Sequence, residues 1–161
     1  MAVVSNASPL IAFASIEQLS LLPAIFQSIV IPPAVAVEIA PSIPTLPLGC
    51  MFTFLQQPLP GPVLQRSLGA GEREALALAV EIRAERILLD DLPARRIART
   101  LSLLVTGTAG VLLVARRHAL IRRVRPHLDA LHLRPPHPMC AACVHGHRHQ
   151  RTSGSHVGQS A

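Results

Sequence analysis

The chain has no tryptophan, no tyrosine and no lysine, and only four phenylalanines among its 161 residues. An interior of aromatic plates is therefore excluded, and recognition of nucleobases by aromatic stacking is argued against. Half of the residues are nonetheless hydrophobic, so the core must be Leu, Ile, Val and Ala. Aliphatic cores of this kind suit helices packed on a buried parallel sheet, whose strands read as continuous apolar runs. Cysteines number three, an odd count that argues against a disulfide scaffold and fits a reducing cytoplasm. Long uninterrupted apolar runs are missing too. Residues 1–16 are broken by Asn6 and Pro9 and carry no basic leader, and residues 101–115 are interrupted by Thr106, Gly107, Thr108 and Gly110. Neither reads as a membrane span or a signal peptide.

Acidic charge is scarce and basic charge is one-sided. Before Arg66 the balance is −2, from Glu17 and Glu38; from Arg66 onward it is +8, giving +6 overall. All the basic side chains are Arg, whose planar fork pairs bidentately with phosphate, so a polyanionic partner is suggested. The competing reading is that Arg simply serves as the solvated cation of this chain, since charge speaks to association and not to fold.

Apolar runs and breakers alternate in an order that implies a topology. Residues 2–5 predict a first strand ended by Asn6. Ser8-Pro9 predicts a helix start, Ser8 as N-cap and Pro9 in the first helical position, opening Leu10 to Ser15. A second helical stretch from Glu17 to Phe26 is interrupted by Pro23. Residues 28–31 predict a second buried strand, and Pro33 starts a helix through Glu38 and Ile39. Residues 41–62 hold six prolines and read as a surface connection, with Cys50 to Leu55 a candidate edge strand. A helix over Glu72 to Ala84, a strand at 87–89, a helix from Pro93 to Leu101, a strand at 103–105, and helices over Ala109 to Leu120 and Val124 to Leu131 complete the pattern. Strand and helix alternating in this way predict a three-layer α/β/α domain over residues 1–134, with a central parallel sheet and right-handed crossovers. Residues 135–161 are rich in Pro, His, Arg, Ser and Gly, cannot build a core, and predict a disordered tail. Within it Cys140 and Cys143, followed by His145, His147 and His149, are spaced too tightly for a zinc finger.

In a doubly wound sheet the functional crevice lies beyond the carboxyl ends of the strands. Asn6 follows the first strand, Asp90 and Asp91 follow the third, Glu38 lies on the helix after the second, and Glu72 opens its own helix. If these converge, the repulsion among carboxylates calls for a cation, and oxygen ligands suit Mg²⁺. Each residue has a plainer role available: Asn6 as a turn former, Glu38 as a solvated helix residue, Glu72 as a favourable charge at a helix N-terminus, Asp91 as an N-cap. Arg95, Arg96 and Arg99, on the helix after Asp91, could guide phosphates or could be a solvated face. Arg116, Arg117, Arg122, Arg123 and Arg125 form a denser basic patch.

Several segments resemble the PIN-domain family, in a branch of predicted nucleic-acid-binding proteins similar to VapC-type toxins. They are Val3-Val4-Ser5-Asn6-Ala7-Ser8-Pro9-Leu10-Ile11, Ile31-Pro32-Pro33-Ala34-Val35 with Glu38, Leu68-Gly69-Ala70-Gly71-Glu72-Arg73-Glu74-Ala75, Leu88-Leu89-Asp90-Asp91 with Arg95 and Ala98, and Val105-Thr106-Gly107-Thr108. The resemblance spans about residues 2–133. It implies an endoribonuclease dependent on Mg²⁺ or Mn²⁺, with RNA as substrate, an antitoxin protein as a partner and a homodimer as an assembly. It also implies that Glu38, Glu72 and Asp91 are catalytic, with Asn6 and Asp90 as further metal ligands and Ser8 near the metal and nucleic acid. Asn6 stands where the family pattern has an acid, so the alternative is a non-catalytic module that binds nucleic acid or protein on the same fold.

Overall fold

The computed structural model describes residues 2–46, 48–64 and 67–133; the expected tail at 135–161, with its Cys and His residues, lies outside them. Five strands, β1 (Val3–Ser5), β2 (Ile29–Ile31), β3 (Cys50–Phe52), β4 (Arg86–Leu88) and β5 (Val105–Thr106), form one sheet in the order β3-β2-β1-β4-β5. Every pairing is parallel: Val3 opposes Ile29 and Arg86, Ile29 opposes Cys50, and Ile87 opposes Val105. Every residue of β1 and β2 is buried, so both faces of the sheet are covered, as their unbroken apolar runs predict.

The covering helices are α1 (Ala7–Ser15), α2 (Leu21–Phe26), α3 (Pro33–Ile39), α4 (Ala70–Glu81), α5 (Leu92–Thr100), α6 (Thr108–Arg117) and α7 (Arg125–His132). Helix α3 packs on α4, α1 on α3 and α6, α2 on α6, and α4 on β1, β4 and α5. Phe13, Leu10, Leu22, Ile31, Leu76, Leu78, Ile87 and Leu112 are fully buried in the single core. Each such side chain contributes about 1.5–3 kcal/mol relative to leaving it in water. Among the described residues no helix is long and apolar enough to cross a membrane.

Several boundaries differ from the sequence expectation, each for a local reason. Helix α1 starts at Ala7, with Asn6 and not Ser8 at the N-cap position; Pro9 falls in the first turn, where its missing N–H needs no partner. The stretch expected to be helical from Glu17 is helical only from Leu21. Glu17 adopts φ 58°, and the Gln18 N–H bonds back to Phe13 O while the Glu17 N–H bonds to Ala14 O. This is a Schellman closure with a non-glycine residue in the left-handed position. Arg83, Ser102 and Ala119 close α4, α5 and α6 in the same way. Helices α4 and α6 therefore stop before the expected Ala84 and Leu120, and β5 is displaced from 103–105 to Val105–Thr106. The surface connection also holds a 3-10 turn at Gly61–Val63 that anchors buried Val63.

Candidate active site

The chain winds outward from β1 through β2 to β3, then returns to continue through β4 and β5 on the other side. The order thus reverses between β1 and β4, where ligand crevices form in such sheets. Asn6 lies at this point. Its N–H donates to Leu88 O at 3.2 Å, its side chain is 2% exposed, and its Oδ1 is buried without a hydrogen-bond partner. An orphaned buried acceptor costs about 1–3 kcal/mol, so this amide oxygen calls for a donor or a cation.

Three carboxylates come to the same rim from different helices. Glu38 of α3 reaches the first turn of α4 and accepts the Gly71 N–H at 2.9 Å. That approach requires a glycine, because a Cβ at residue 71 would stand 2.6–2.8 Å from the Glu38 carboxylate atoms. Glu72, in the same turn, folds back to accept the Gly69 N–H at 2.8 Å. It supplies one half of a capping box; Gly69 has no side chain to supply the other. Asp91 is the N-cap of α5 and accepts the Ala94 N–H at 3.0 Å. Burial pushes the Glu72 carboxyl above the ordinary carboxylate range, the Gly69 N–H pulls it down, and the negative charges of Asp91 and Glu38 push it further up.

Asp90 turns elsewhere. It accepts the Thr108 N–H at 2.7 Å with one oxygen and the Thr108 hydroxyl with the other, tying the end of β4 to the start of α6. Ser8 is half-buried inside α1. Arg95 is half-buried with its Nε unpartnered, whereas Arg96 and Arg99 are exposed. Glu72 thus lies within the field of both Asp91 and Glu38. Even so, among the described residues no group of three or more His, Cys, Asp or Glu is gathered closely enough to hold an ion. Each of the three carboxylates is instead turned onto a backbone N–H.

Two further acids serve the fold: Glu74 accepts from Ala34 N at 2.9 Å, and Glu81 accepts the Gln56 and Gln57 N–H groups. Sequence reasoning held Gly71, Gly107 and Thr108 only as parts of the resembling segments and gave them no role, yet their small size or hydroxyl lets the acids approach helix starts. The available signal was a glycine in or just before the first turn of a helix that follows a strand or a loop. As a donor set, one orphaned amide oxygen and three carboxylates, one of them raised by burial and by its acidic neighbours, match the preference of a hard divalent cation for oxygen.

Comparison with known proteins agrees with this architecture. No curated protein matches the chain. Among solved structures it is similar to a PilT N-terminus domain protein, SSO1118, from the hyperthermophilic archaeon Sulfolobus solfataricus P2. The two share 15% identity at a TM-score of 0.50, over 85% of this chain and 98% of that one. At that identity the likeness speaks to the fold alone. A family model described as PIN domain, whose members are generally divalent-metal-dependent nucleases, matches residues 2–135. With the parallel sheet, its reversal at Asn6 and a match over most of the sequence, the chain belongs to the PIN domain family.

Proposed function

We propose that the protein is a metal-dependent endoribonuclease, with Asn6, Glu38, Glu72 and Asp91 as the residues that would hold Mg²⁺ or Mn²⁺. The observation that carries this reading is the buried, partnerless Asn6 Oδ1 at the reversal of the sheet, together with the Asp91 and Glu38 charges that act on Glu72. A bound divalent ion supplies charge compensation and a polarised phosphate or water. The chain's own part is to fix the oxygens on rigid helix starts, with Glu38, Glu72 and Asp91 as the catalytic acids and Ser8 as a neighbouring hydroxyl. Asp90, held by Thr108, serves in this reading as a brace for the rim rather than a ligand. The protein acts in the cytoplasm, and its toxin-like role implies a protein partner or a second copy. Exposed Met51, Phe52 and Phe54 at the outer edge of β3 support such a contact.

A second reading is favoured by Asn6 itself. An amide has no charge and is no base, so the fold could bind RNA without cutting it. Incubating purified protein and structured RNA with Mg²⁺ or Mn²⁺ separates the two. Cleavage is expected from the parent chain and is lost with chelator, in Glu72→Gln and in Asp91→Asn; Asn remains a good N-cap, so loss in Asp91→Asn is not unfolding. Equal cleavage by the parent and both variants removes the assigned roles. An inert parent that gains metal-dependent cleavage on Asn6→Asp establishes the binding reading.

A further inference from the structure

A cleft of about 400 Å³ runs along the outer edge of β5, beside the candidate active site, and three arginines from three elements line it: Arg86 of β4, Arg95 of α5 and Arg117 of α6. Between the arginines its lining is small or apolar, with Gly107, Ala109, Gly110, Val105, Leu113 and Val114. Two features mark it as unfilled in an electrostatic sense. Arg95 Nε is buried with no partner. Among the described residues none of these arginines has a carboxylate within 4.0 Å, although Asp90 lines the same cleft. Asp90 is already occupied by the N–H and hydroxyl of Thr108, and Arg86 Nη1 donates to the Thr106 hydroxyl, at 2.6 Å.

We infer that this cleft is a track for the phosphodiester backbone of an RNA strand, with Arg86, Arg95 and Arg117 as its phosphate contacts. Three Arg forks around an open, aromatic-free trough suit phosphate and not base stacking. Helix α6 alone carries the lining from Ala109 to Arg117, about 12 Å at 1.5 Å per residue, room for two or three successive phosphates. Asp90 lines this trough while the next residue, Asp91, caps α5 and acts on Glu72 through its charge, so a strand in the cleft lies alongside the acidic rim. The track is a different set from Arg95, Arg96 and Arg99: the last two are exposed and do not line the cleft.

The choice of RNA rests on the nuclease reading, and binding without metal tests the track separately from cleavage. Anisotropy of a labelled single-stranded RNA is measured in EDTA across a salt series, with the full chain and Arg95→Gln, Arg117→Gln and Arg86→Lys; Arg83→Gln, exposed at the end of α4, is the surface control. Each of Arg95→Gln and Arg117→Gln is expected to weaken binding by about three- to tenfold and to lower the salt slope by about 0.7. Arg83→Gln is expected to bind nearly as the parent does. Arg86→Lys, which keeps the charge but loses the fork, is expected to fall between. Parent-like affinity and slope in both Arg95→Gln and Arg117→Gln overturns the track, whatever the cleavage assay gives. Arginine-dependent binding by a chain that never cleaves RNA upholds the track and removes the nuclease reading alone.

Discussion

Replacing Gly71 with alanine tests how the Glu38 carboxylate is held. A Cβ there would sit 2.6 Å from Glu38 Oε2 and 2.7 Å from Oε1, whereas ordinary contact begins at 3.4 Å. The carboxylate must retreat by about 0.8 Å, which stretches its 2.9 Å bond to the Gly71 N–H beyond hydrogen-bonding range. Hydrogen bonds to charged groups contribute about 1.5–3 kcal/mol, and the lower end applies to a half-buried carboxylate. Alanine in the first turn of α4 gives back up to about 1 kcal/mol of helix propensity. Gly71→Ala is therefore expected to destabilise the parent by about 0.5 kcal/mol. In a Glu38→Ala background, where nothing is displaced, it is expected to stabilise by up to about 1 kcal/mol. Urea unfolding of the four proteins without divalent ions gives the coupling directly. Equal effects of Gly71→Ala with and without Glu38, within about 0.5 kcal/mol, would refute the reasoning.

Two other predictions concern charge and backbone. The Glu72 carboxyl is raised by burial and by its acidic neighbours, so its ionised form is disfavoured in the folded chain. Its contribution is fully present below the ordinary carboxylate range and is lost as pH rises through the raised folded value. Glu72→Gln is thus expected to melt progressively higher than the parent as pH rises from about 4 to 7, with Mg²⁺ narrowing the gap; a pH-independent difference rejects the charge argument. Ala119 closes α6 with φ 57°, where glycine has no Cβ penalty, so Ala119→Gly is expected to raise stability by about 1 kcal/mol in urea unfolding, and a loss of stability there contradicts the strain assigned to it.

The strands were legible because β1 and β2 are buried on both faces and their sequences say so without a break. Helix starts were legible wherever proline or a capping residue marks them, as at Pro33 and Asp91, less so at Asn6, where Ser8-Pro9 offered a more familiar signal. Helix ends were not. Four helices close on Glu17, Arg83, Ser102 and Ala119 in a conformation that glycine normally advertises, so periodicity ran on into the turns. The positions of the acids at strand ends and helix starts followed from the alternation of elements. Their directions did not, because each carboxylate chooses among nearby backbone N–H groups, a competition decided only by assembled geometry. Arg86 and Arg117, thirty-one residues apart in the chain, share a cleft that no local pattern announces.

Asp90 and Asp91 leave β4 as neighbours yet answer to different masters: one is bonded across to α6, the other to the start of α5. The dipeptide is therefore a partition wall between two electrostatic compartments, one basic and one acidic. Substitutions can retune either compartment while the opposite one keeps its own acid, so the proposed strand affinity and the proposed metal binding can drift apart over evolutionary time without a change of fold.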